Sequence, residues 1–359
     1  MAPGTQFEIA QPPSDAISAI DFAPESPNRF IVSSWDKQVY LYEISPDDDE
    51  GSAQLVQSFE HRAPVLDVCF GANDNEAFTG GVDYRVTRID LATGEQTVLS
   101  THAEPVPCVV YCPEQSIVVS ASWDQTLHVH PAAASSQHHI SIELPGKPHA
   151  VAASPSKLVV AMTSRLVHIY DLPALSEALS SSSSGSGGAP ADVKPWQQRE
   201  SSLKFLTRAV SCMPNDAGYA TSSIEGRVAV EWFEDTAESQ ARKYAFKCHR
   251  QTAPEEEGGG DIVYPVNALA FNPVHGTFVS GGGDGTVALW DAEAKRRMRL
   301  YQNFPDSVAA MGFSNDGRFL AVGVCPGFET GMEDYSADGQ TKLFIRELGE
   351  TEAKGKGSK

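Results

Sequence analysis

The sequence predicts an all-β fold, a seven-bladed β-propeller closed by pairing of its N- and C-terminal strands. Three observations predict it. A unit made of an apolar stretch, a Gly/Ser/Asp turn and an alternating apolar strand recurs along the 359 residues. A short, nearly continuous apolar run precedes each turn. The last unit lacks a strand that the N-terminus can supply. Repeated β-units of about 40–45 residues are typical of propeller blades.

The turns define the period of the repeat. Its clearest copies are residues 33–41 and 280–291. The aligned turn residues are Asp36, Asp83, Asp124, Ser164, Glu225 and Asp284, with spacings of 47, 41, 40, 61 and 59 residues. The three short spacings each match one four-stranded blade. A weaker seventh copy, residues 343–345, follows a long loop over residues 326–339.

The apolar runs predict the inner strands. A strand buried on both faces is apolar at nearly every position, which distinguishes it from a half-exposed strand. Seven such runs imply seven blades: residues 17–22, 65–70, 106–111, 149–153, 207–212, 266–271 and 307–313.

Closure of the ring sets the domain boundaries. Residues 5–10 alternate and are expected to form the fourth strand of the last blade, which removes an exposed sheet edge. The propeller is therefore expected to span residues 5–348. Residues 179–192 are predicted to form a Ser/Gly-rich inserted loop, residues 255–260 an acidic loop, and residues 349–359 a disordered tail.

Composition narrows the partners and the compartment. The net charge of −20 argues against direct binding of nucleic acid or an anionic membrane, and 41% apolar residues allow a large core. None of the six cysteines forms a CxxC pair, which is typical of reduced, intracellular proteins. No apolar run is long enough for a membrane span, and no signal-peptide core precedes the first blade. We expect a protein of the nucleus and cytoplasm.

Most polar residues that attract attention have structural explanations. Asp36, Asp83, Asp124 and Asp284 are expected to cap their turns through hydrogen bonds to the backbone. His61, His102 and His249 each end a fourth strand and are expected to be structural. No carboxylate or cysteine cluster accompanies these histidines, so no metal is predicted. The pair His138-His139 is expected to be solvated on an outer strand.

The chain is not expected to be an enzyme or to hold a cofactor. Residues 281–285 are glycine-rich, yet they lead into a strand and not into the helix that a phosphate-binding loop requires. Hydrolase, metalloprotease, nucleotide-binding and kinase signatures are lacking in the sequence. A propeller without such a constellation is a binding platform.

The turns between second and third strands and the loops between blades open on one face of a propeller, here called the top face. Trp35 and Trp123 occupy the same turn position in blades 1 and 3, where other blades carry Val82, Ile224 and Gly283. Exposed tryptophans are enriched as anchors of interfaces. The alternative is that each packs against a neighbouring loop.

Three arginines are predicted on the same face around blade 5. Arg208 starts its inner strand, Arg227 lies in its turn and Arg250 follows its fourth strand. Guanidinium groups match carboxylate and phosphate geometry, so we expect an acidic or phosphorylated peptide to lie across the top face. The alternative is local pairing with Glu225 or Glu231.

Several segments make the sequence resemble a known family. They are SSWDKQVYLY (33–42), SSIEGRVAVE (222–231), YAFKCHR (244–250), YPVNA (264–268) and residues 344–346. These resemble the seven-bladed WD-repeat β-propellers of the spindle assembly checkpoint, the "budding uninhibited by benzimidazole" family. The resemblance covers essentially all blades. The Ser/Gly insertion departs from it.

The resemblance implies a mitotic adaptor. It implies binding of GLEBS segments of a checkpoint kinase or pseudokinase, and of phosphorylated Met-Glu-Leu-Thr repeats of a kinetochore scaffold. It also implies a place in the mitotic checkpoint complex and at kinetochores in mitosis. In that reading Arg208 meets acidic GLEBS side chains, Arg227 and Arg250 contact phosphate, and Trp35 and Trp123 are top-face aromatics.

The alternative is the related mRNA-export propeller of the nuclear pore. That protein also binds a GLEBS segment and also carries the IEGRVA and KCHR stretches. The Trp-Asp-Lys-Gln of blade 1 and the Tyr-Pro-Val-Asn before blade 6 favour the checkpoint branch.

Overall fold

A computed structural model of the chain describes residues 6–45, 51–133, 138–182, 189–253, 259–301, 304–327 and 340–355. These form a ring of seven antiparallel sheets around a central channel, as predicted. Within them, neither helix has the length and apolar character needed to cross a membrane. Each sheet places its first strand at the channel and its fourth strand at the circumference.

The chain begins with β1 (Gln6–Glu8) and then forms the blades in order. Blade 1 contains β2 (Ile17–Phe22), β3 (Arg29–Ser34), β4 (Gln38–Ser45) and β5 (Ser52–Glu60). Blade 2 contains β6 (Val65–Phe70), β7 (Glu76–Gly81), β8 (Arg85–Asp90) and β9 (Gln96–Thr101). Blade 3 contains β10 (Cys108–Cys112), β11 (Ile117–Ser122), β12 (Thr126–Pro131) and β13 (Ile140–Glu143).

Blades 4 to 7 follow, with two helices and three short strands between their elements. Blade 4 contains β14 (Pro148–Ala153), β15 (Lys157–Met162), β16 (Leu166–Asp171), helix α1 (Leu172–Ser181) and β18 (Gln197–Glu200), with β17 (Ala189–Pro190) before β18. Blade 5 contains β19 (Thr207–Cys212), β20 (Gly218–Ser223), β21 (Arg227–Trp232), helix α2 (Ala237–Arg242) and β22 (Tyr244–Lys247). A hairpin of β23 (Arg250–Thr252) and β24 (Asp261–Val263) leads to blade 6, which contains β25 (Val266–Phe271), β26 (Phe278–Gly282), β27 (Val287–Asp291) and β28 (Arg296–Tyr301). Blade 7 contains β29 (Val308–Phe313), β30 (Phe319–Val324) and β31 (Lys342–Glu347).

The seven inner strands lie where the apolar runs predicted them. The third begins two residues later than expected, at Cys108, because Pro107 has no amide hydrogen to donate to the ladder. The apolar core lies between blades and not in one central mass. One cluster joins Phe22 and Tyr42 of blade 1 to Ala321 and Ile345 of blade 7. Each blade is therefore stabilised by its neighbours.

The ring closes through the two ends of the chain, as predicted. β1 pairs antiparallel with β31, with Gln6 opposite Arg346, Phe7 opposite Ile345 and Glu8 opposite Phe344. Blade 7 thus gains its fourth strand from the N-terminus, and its outer strand has a partner.

The insertion in blade 4 is more ordered than the predicted loop of 179–192. Helix α1 extends to Ser181 and buries Leu172, Leu175 and Leu179 against the core of blades 3 and 4. The leucines lie three and four residues apart, so they share one helix face. β17 then adds to blade 3 in parallel with β13. The middle of the Ser/Gly tract, residues 183–188, lies outside the described residues, as do most of the predicted loops over 255–260 and 326–339.

The tail prediction for 349–359 is wrong for residues 349–355. Glu352 and Ala353 are buried at 7% and 3% exposure against blades 6 and 7. The Glu352 carboxylate accepts hydrogen bonds from Tyr301, at 2.6 Å, and from Arg346, at 2.9 Å. These contacts compensate for burying the charge, which polar composition alone did not reveal. Residues 356–359 lie outside the described part of the chain.

Candidate functional site

Histidine–aspartate pairs fasten neighbouring blades beneath the top face. His249, which leaves blade 5, lies 2.8 Å from the Asp284 carboxylate and 2.8 Å from the Ser280 hydroxyl of blade 6. The Trp290 indole donates to the same hydroxyl. His102, which leaves blade 2, makes the matching contacts to blade 3, to the carboxylate of Asp124 and the hydroxyl of Ser120. The predicted structural role of both histidines is confirmed.

The turn aspartates cap their backbones as predicted. The carboxylates of the four turns accept hydrogen bonds from amides two residues later: Asp36 from Gln38, Asp83 from Arg85, Asp124 from Thr126 and Asp284 from Thr286. Burial alone would raise the pKa of Asp284. Hydrogen bonds from His249 and Thr286 outweigh it and lower that pKa. His61 contacts Thr79 of blade 2 at 3.2 Å.

Trp35, Trp123 and Arg208 line one cavity of about 380 Å³ at the top mouth of the channel. Trp35 is 41% exposed and Trp123 is half-buried. The three side chains come from blades 1, 3 and 5, so two indole rings and a guanidinium group line the cavity, together with Asp67 of blade 2. The structure brings these three predicted residues together.

Asn267 positions the Arg208 side chain. The Arg208 Nε donates to the Asn267 Oδ1 at 3.2 Å. The Asn267 amide nitrogen in turn donates to the Ser307 hydroxyl and to the Val308 carbonyl of blade 7, at 3.1 Å each. This asparagine belongs to the YPVNA segment, which the sequence analysis singled out without assigning it a contact. Its role is to hold an exposed arginine over the channel.

An apolar rim lies beside Arg208 on blade 5 and at the entry to blade 6. A second cavity of about 310 Å³ shares Arg208 and Asn267 with the first and is also lined by Leu206, Ile224 and Pro265. Leu206 and Ile224 are each 43% exposed, and Phe205 is 54% exposed. Exposed apolar clusters of this kind mark binding surfaces. This rim was not predicted from the sequence, although the two consecutive apolar residues Phe205 and Leu206 in the loop before blade 5 were a readable signal.

Arg227 and Arg250 line neither cavity; both contact Glu225 instead. The Arg227 Nε lies 3.5 Å from the Glu225 carboxylate. The Arg250 Nη2 donates to the Glu225 carbonyl at 2.9 Å, and its Nη1 lies 3.6 Å from the Asp261 carboxylate. The local pairing weighed as an alternative for Arg227 is therefore present in the structure. Ile224, next to Glu225, connects this pair of arginines to the cavity that holds Arg208.

The turn that carries these arginines requires glycine. Gly226 has a φ of +62°, and a Cβ there would lie 2.9 Å from the Cys248 carbonyl and 3.1 Å from the Tyr264 carbonyl. The β23–β24 hairpin thus closes directly on this turn. Because Arg250 is the first residue of the hairpin, the turn and the hairpin together fix the direction of both guanidinium groups.

The lower end of the channel has a different chemistry. Asp21 lines it, and Asp67 lies between it and the cavity at the top mouth, which it also lines. Each carboxylate accepts a hydrogen bond from an amide of the next blade's inner strand, at Phe70 and Val109. Burial raises the pKa of Asp21 to about 6 and that of Asp67 to about 7. Both groups join blades, so the candidate functional site remains the top face.

His138 and His139, predicted to be solvated, are half-buried. The His139 ring lies 4.4 Å from that of His128 and 5.0 Å from that of His130, while His138 contacts the Leu179 carbonyl at the end of α1. Among the residues that the structure describes, no group of His, Cys, Asp or Glu side chains is arranged to hold a metal ion. The histidines pack as aromatic rings in blade 3.

Comparison with known proteins identifies both the repeat that builds the blades and the family to which the whole chain belongs. The WD domain, G-beta repeat family matches residues 94–130 and 262–291, which fall in blades 2, 3 and 6. Mitotic checkpoint protein BUB3.1 of Arabidopsis thaliana is 40% identical over 360 residues, which cover 99% of this chain and 96% of the relative. The chain belongs to the BUB3 family.

Two further relatives represent the checkpoint family and the related mRNA-export propellers. The BUB3 family member of Dictyostelium discoideum, a mitotic checkpoint protein, is 35% identical over 95% of this chain and 94% of its own. The mRNA export factor GLE2 of Chaetomium thermophilum is 30% identical over 94% of this chain and 89% of its own. The resemblance to the checkpoint propellers is confirmed. The binding roles of Trp35, Trp123, Arg208, Arg227 and Arg250 stay predictions.

Proposed function

We propose that the protein is a non-catalytic adaptor of the spindle assembly checkpoint that binds partner peptides on its top face. The names of its BUB3 relatives support the checkpoint role. The observation that carries the binding role is the cavity in which two tryptophans and one arginine from three blades meet. We further propose that it acts in the nucleus and at kinetochores, within the mitotic checkpoint complex.

The first proposed ligand is a GLEBS segment of a checkpoint kinase or pseudokinase. Arg208 would pair with an acidic side chain of that segment, while the rim of Leu206 and Ile224 and the tryptophans would cover its apolar residues. The support is that Arg208 is exposed, is held in place by a neutral asparagine, and has apolar neighbours on both sides. A pre-oriented charge inside an apolar rim, which a partner buries on binding, is typical of interface hot spots.

The second proposed ligand is a phosphorylated Met-Glu-Leu-Thr repeat of a kinetochore scaffold. Arg227 and Arg250 would contact the phosphate. The support is that Arg250 Nε is buried without a hydrogen-bond partner in the described chain, and that both arginines face one turn. A phosphate would satisfy that Nε and compete with the Glu225 carboxylate for Arg227.

The first test is charge reversal at Arg208. The Arg208→Glu variant is expected to lose binding of a GLEBS peptide by calorimetry, because an acidic side chain would then face a like charge. Arg62→Glu is the matched control, since Arg62 is an exposed arginine at the end of blade 1 with the same charge change. An unchanged dissociation constant for Arg208→Glu, or an equal loss in the control, contradicts the assignment.

The second test removes the phosphate contacts. The R227A/R250A variant is expected to lose its preference for phosphorylated over unphosphorylated Met-Glu-Leu-Thr peptide, about 1.5–3 kcal/mol for each charge-assisted contact. R62A/R85A is the matched control. Arg62 follows His61 as Arg250 follows His249, and Arg85 follows Asp83 as Arg227 follows Glu225. A preference that survives in R227A/R250A rules out this pair as the phosphate site.

The second candidate function is mRNA export at the nuclear pore. It is favoured by the 30% identity to the GLE2 export factor over most of both chains. A pull-down from mitotic cells separates the two functions. Checkpoint kinases and the kinetochore scaffold are the expected partners, whereas recovery of nuclear-pore and export proteins would favour the second candidate.

A further inference from the structure

The outer edge of blade 6 carries a concentration of positive charge that the top face does not explain. Lys295 precedes β28, and Arg296, Arg297 and Arg299 lie on it. All four side chains are exposed, and Leu300, at 38% exposure, lies beside them. This edge stands out on a chain whose net charge is −20.

Protection of an open sheet edge does not account for these arginines. Charged residues do discourage pairing of exposed edges. The fourth strands of the other blades, however, carry few positively charged residues. Among β1, β5, β9, β13, β18 and β22, only β18 and β22 carry a cation, and each carries one. Arg199 of β18 is also engaged, since it donates to two backbone carbonyls of blade 5.

The register of β28 directs its arginines to both sides of the edge. Arg299 pairs with Leu289 and Arg297 with Trp290, so a bulge at Met298 places these two arginines on opposite faces. Arg296 pairs with Asp291 and shares the face of Arg299. The three guanidinium groups therefore bracket the edge, over about 10 Å at an extended-chain rise of about 3.3 Å per residue.

These cations have little internal compensation. The side chains of Arg296 and Arg297 make no ion pair or hydrogen bond with any residue the structure describes. Arg299 is 57% exposed and lies 3.9 Å from Glu352, whose carboxylate already accepts from Tyr301 and Arg346. Lys295 lies over the Tyr244 ring, 5.0 Å from its centroid. The guanidinium groups of Arg296 and Arg297 thus remain available to an external anion, and that of Arg299 is largely exposed beside its contact with Glu352.

An acidic protein segment fits this edge better than a nucleic acid does. Single-stranded nucleic acid is bound by basic grooves with exposed aromatic rings on which bases stack. Here Tyr301 is buried and hydrogen-bonded to Glu352, and Tyr244 is covered by Lys295. Carboxylates of an extended segment match forks spaced along a strand.

We propose that the β28 edge of blade 6, with Arg296, Arg297 and Arg299, is a second docking site, separate from the top face, for an extended acidic segment of a partner protein. The two faces of the edge would hold alternate side chains of that segment. Leu300 would contact one apolar residue within it.

The test uses fluorescence anisotropy on the full chain with a labelled dodecapeptide of alternating glutamate and serine. All proteins carry R227A/R250A, so that the phosphate-site arginines do not contribute. R296Q/R297Q/R299Q is expected to weaken peptide binding by about tenfold or more, because charge-assisted contacts are lost. The matched control is Q54E/Q57E/S58E on the outer strand of blade 1, which makes the same change in net charge at exposed positions.

A second variant and a second probe complete the design. R296Q/R297Q leaves the contact between Arg299 and Glu352 intact and is expected to lose a smaller share of affinity with an unchanged melting temperature. Peptide affinity equal to that of the parent in the triple variant overturns the proposal. So does an equal loss in the blade 1 control, or a selective loss of binding to a labelled uridine dodecanucleotide while peptide binding persists.

Discussion

The turn of blade 6 and the turn of blade 5 occupy the same place in the repeat and do opposite things. In blade 6, the Asp284 side chain is buried, and its carboxylate is hydrogen-bonded to the imidazole of His249. In blade 5, Glu225 stands at that position and directs its carboxylate to Arg227 and its carbonyl to Arg250. One turn is closed within the scaffold, and the other leaves its ion pair partly exposed.

The difference begins one blade earlier. Where the chain leaves blade 2, the backbone amide of His102 donates to the Tyr84 carbonyl. Where the chain leaves blade 4, the backbone amide of Ser201 donates to the Arg165 carbonyl in the same way, so His102 and Ser201 occupy equivalent positions. Blade 5 therefore receives a serine where blade 3 receives a histidine. Without an imidazole beneath it, the acid of the blade 5 turn is left for arginines. The proposed phosphate site therefore lies at the one of these two turns that no histidine fastens to the preceding blade.

The largest effect is expected from removing the histidine of a closed turn. His249→Ala leaves the Asp284 carboxylate buried without its main partner and should lower the free energy of unfolding by about 2–4 kcal/mol. Glu225→Ala, at the open turn, should cost under about 1 kcal/mol because the ion pair it breaks is partly exposed. Urea denaturation measures both. Equal losses would erase the distinction between the two turns.

A smaller effect is expected from filling the glycine of the open turn. Gly226→Ala combines a left-handed backbone with a Cβ 2.9 Å from a carbonyl oxygen, and should cost about 2–3 kcal/mol. Gly276→Ala is the control, because its φ of +63° is the same within a degree and no atom lies within 4 Å of its Cβ. It should cost only about 1 kcal/mol. If thermal unfolding shows the two variants alike, the hairpin does not depend on close approach to the turn.

The smallest effect concerns acid. The His128 ring stacks on His102, 3.6 Å between centroids, beside the closed turn of blade 3. Burial, reinforced by His102 and His139, lowers the pKa of His128 to about 3. Below pH about 6.5 this histidine binds a proton in the unfolded chain but stays neutral in the folded chain. The free energy of unfolding therefore decreases, for this group, by about 1.4 kcal/mol for each pH unit by which the pH is lowered.

The check is the pH dependence of the free energy of unfolding between about pH 7 and 5. His128→Gln is expected to show a shallower slope than the wild-type chain, while Arg227→Ala, in the open turn, should keep the wild-type slope. A slope unaffected by His128→Gln would mean that this ring does not oppose protonation in the folded state.

The sequence alone predicted the structural features that recur in each blade. The inner strands, the turn aspartates and the closure by residues 5–10 follow from periodicity, because every copy meets the same neighbours. It failed where a contact occurs once. Helix α1 was hidden by the serines that follow Leu179, and Glu352 was placed in a disordered tail because its partners, Tyr301 and Arg346, are remote or belong to another strand. Asn267 was noticed as part of a motif, yet its contact with Arg208 needed the fold.

The pairing of β1 with β31 has a consequence for how the molecule is made. During synthesis the first strand emerges long before its partner, so it must wait unpaired until nearly the whole chain has been translated. Blades 1 to 6 can pack against their neighbours in the meantime. Closing the ring, however, joins the two strands that lie farthest apart in the sequence, so it has the largest loop-closure entropy. Truncation of even the last strand would therefore leave two open edges, one at each end, and each could pair with another molecule.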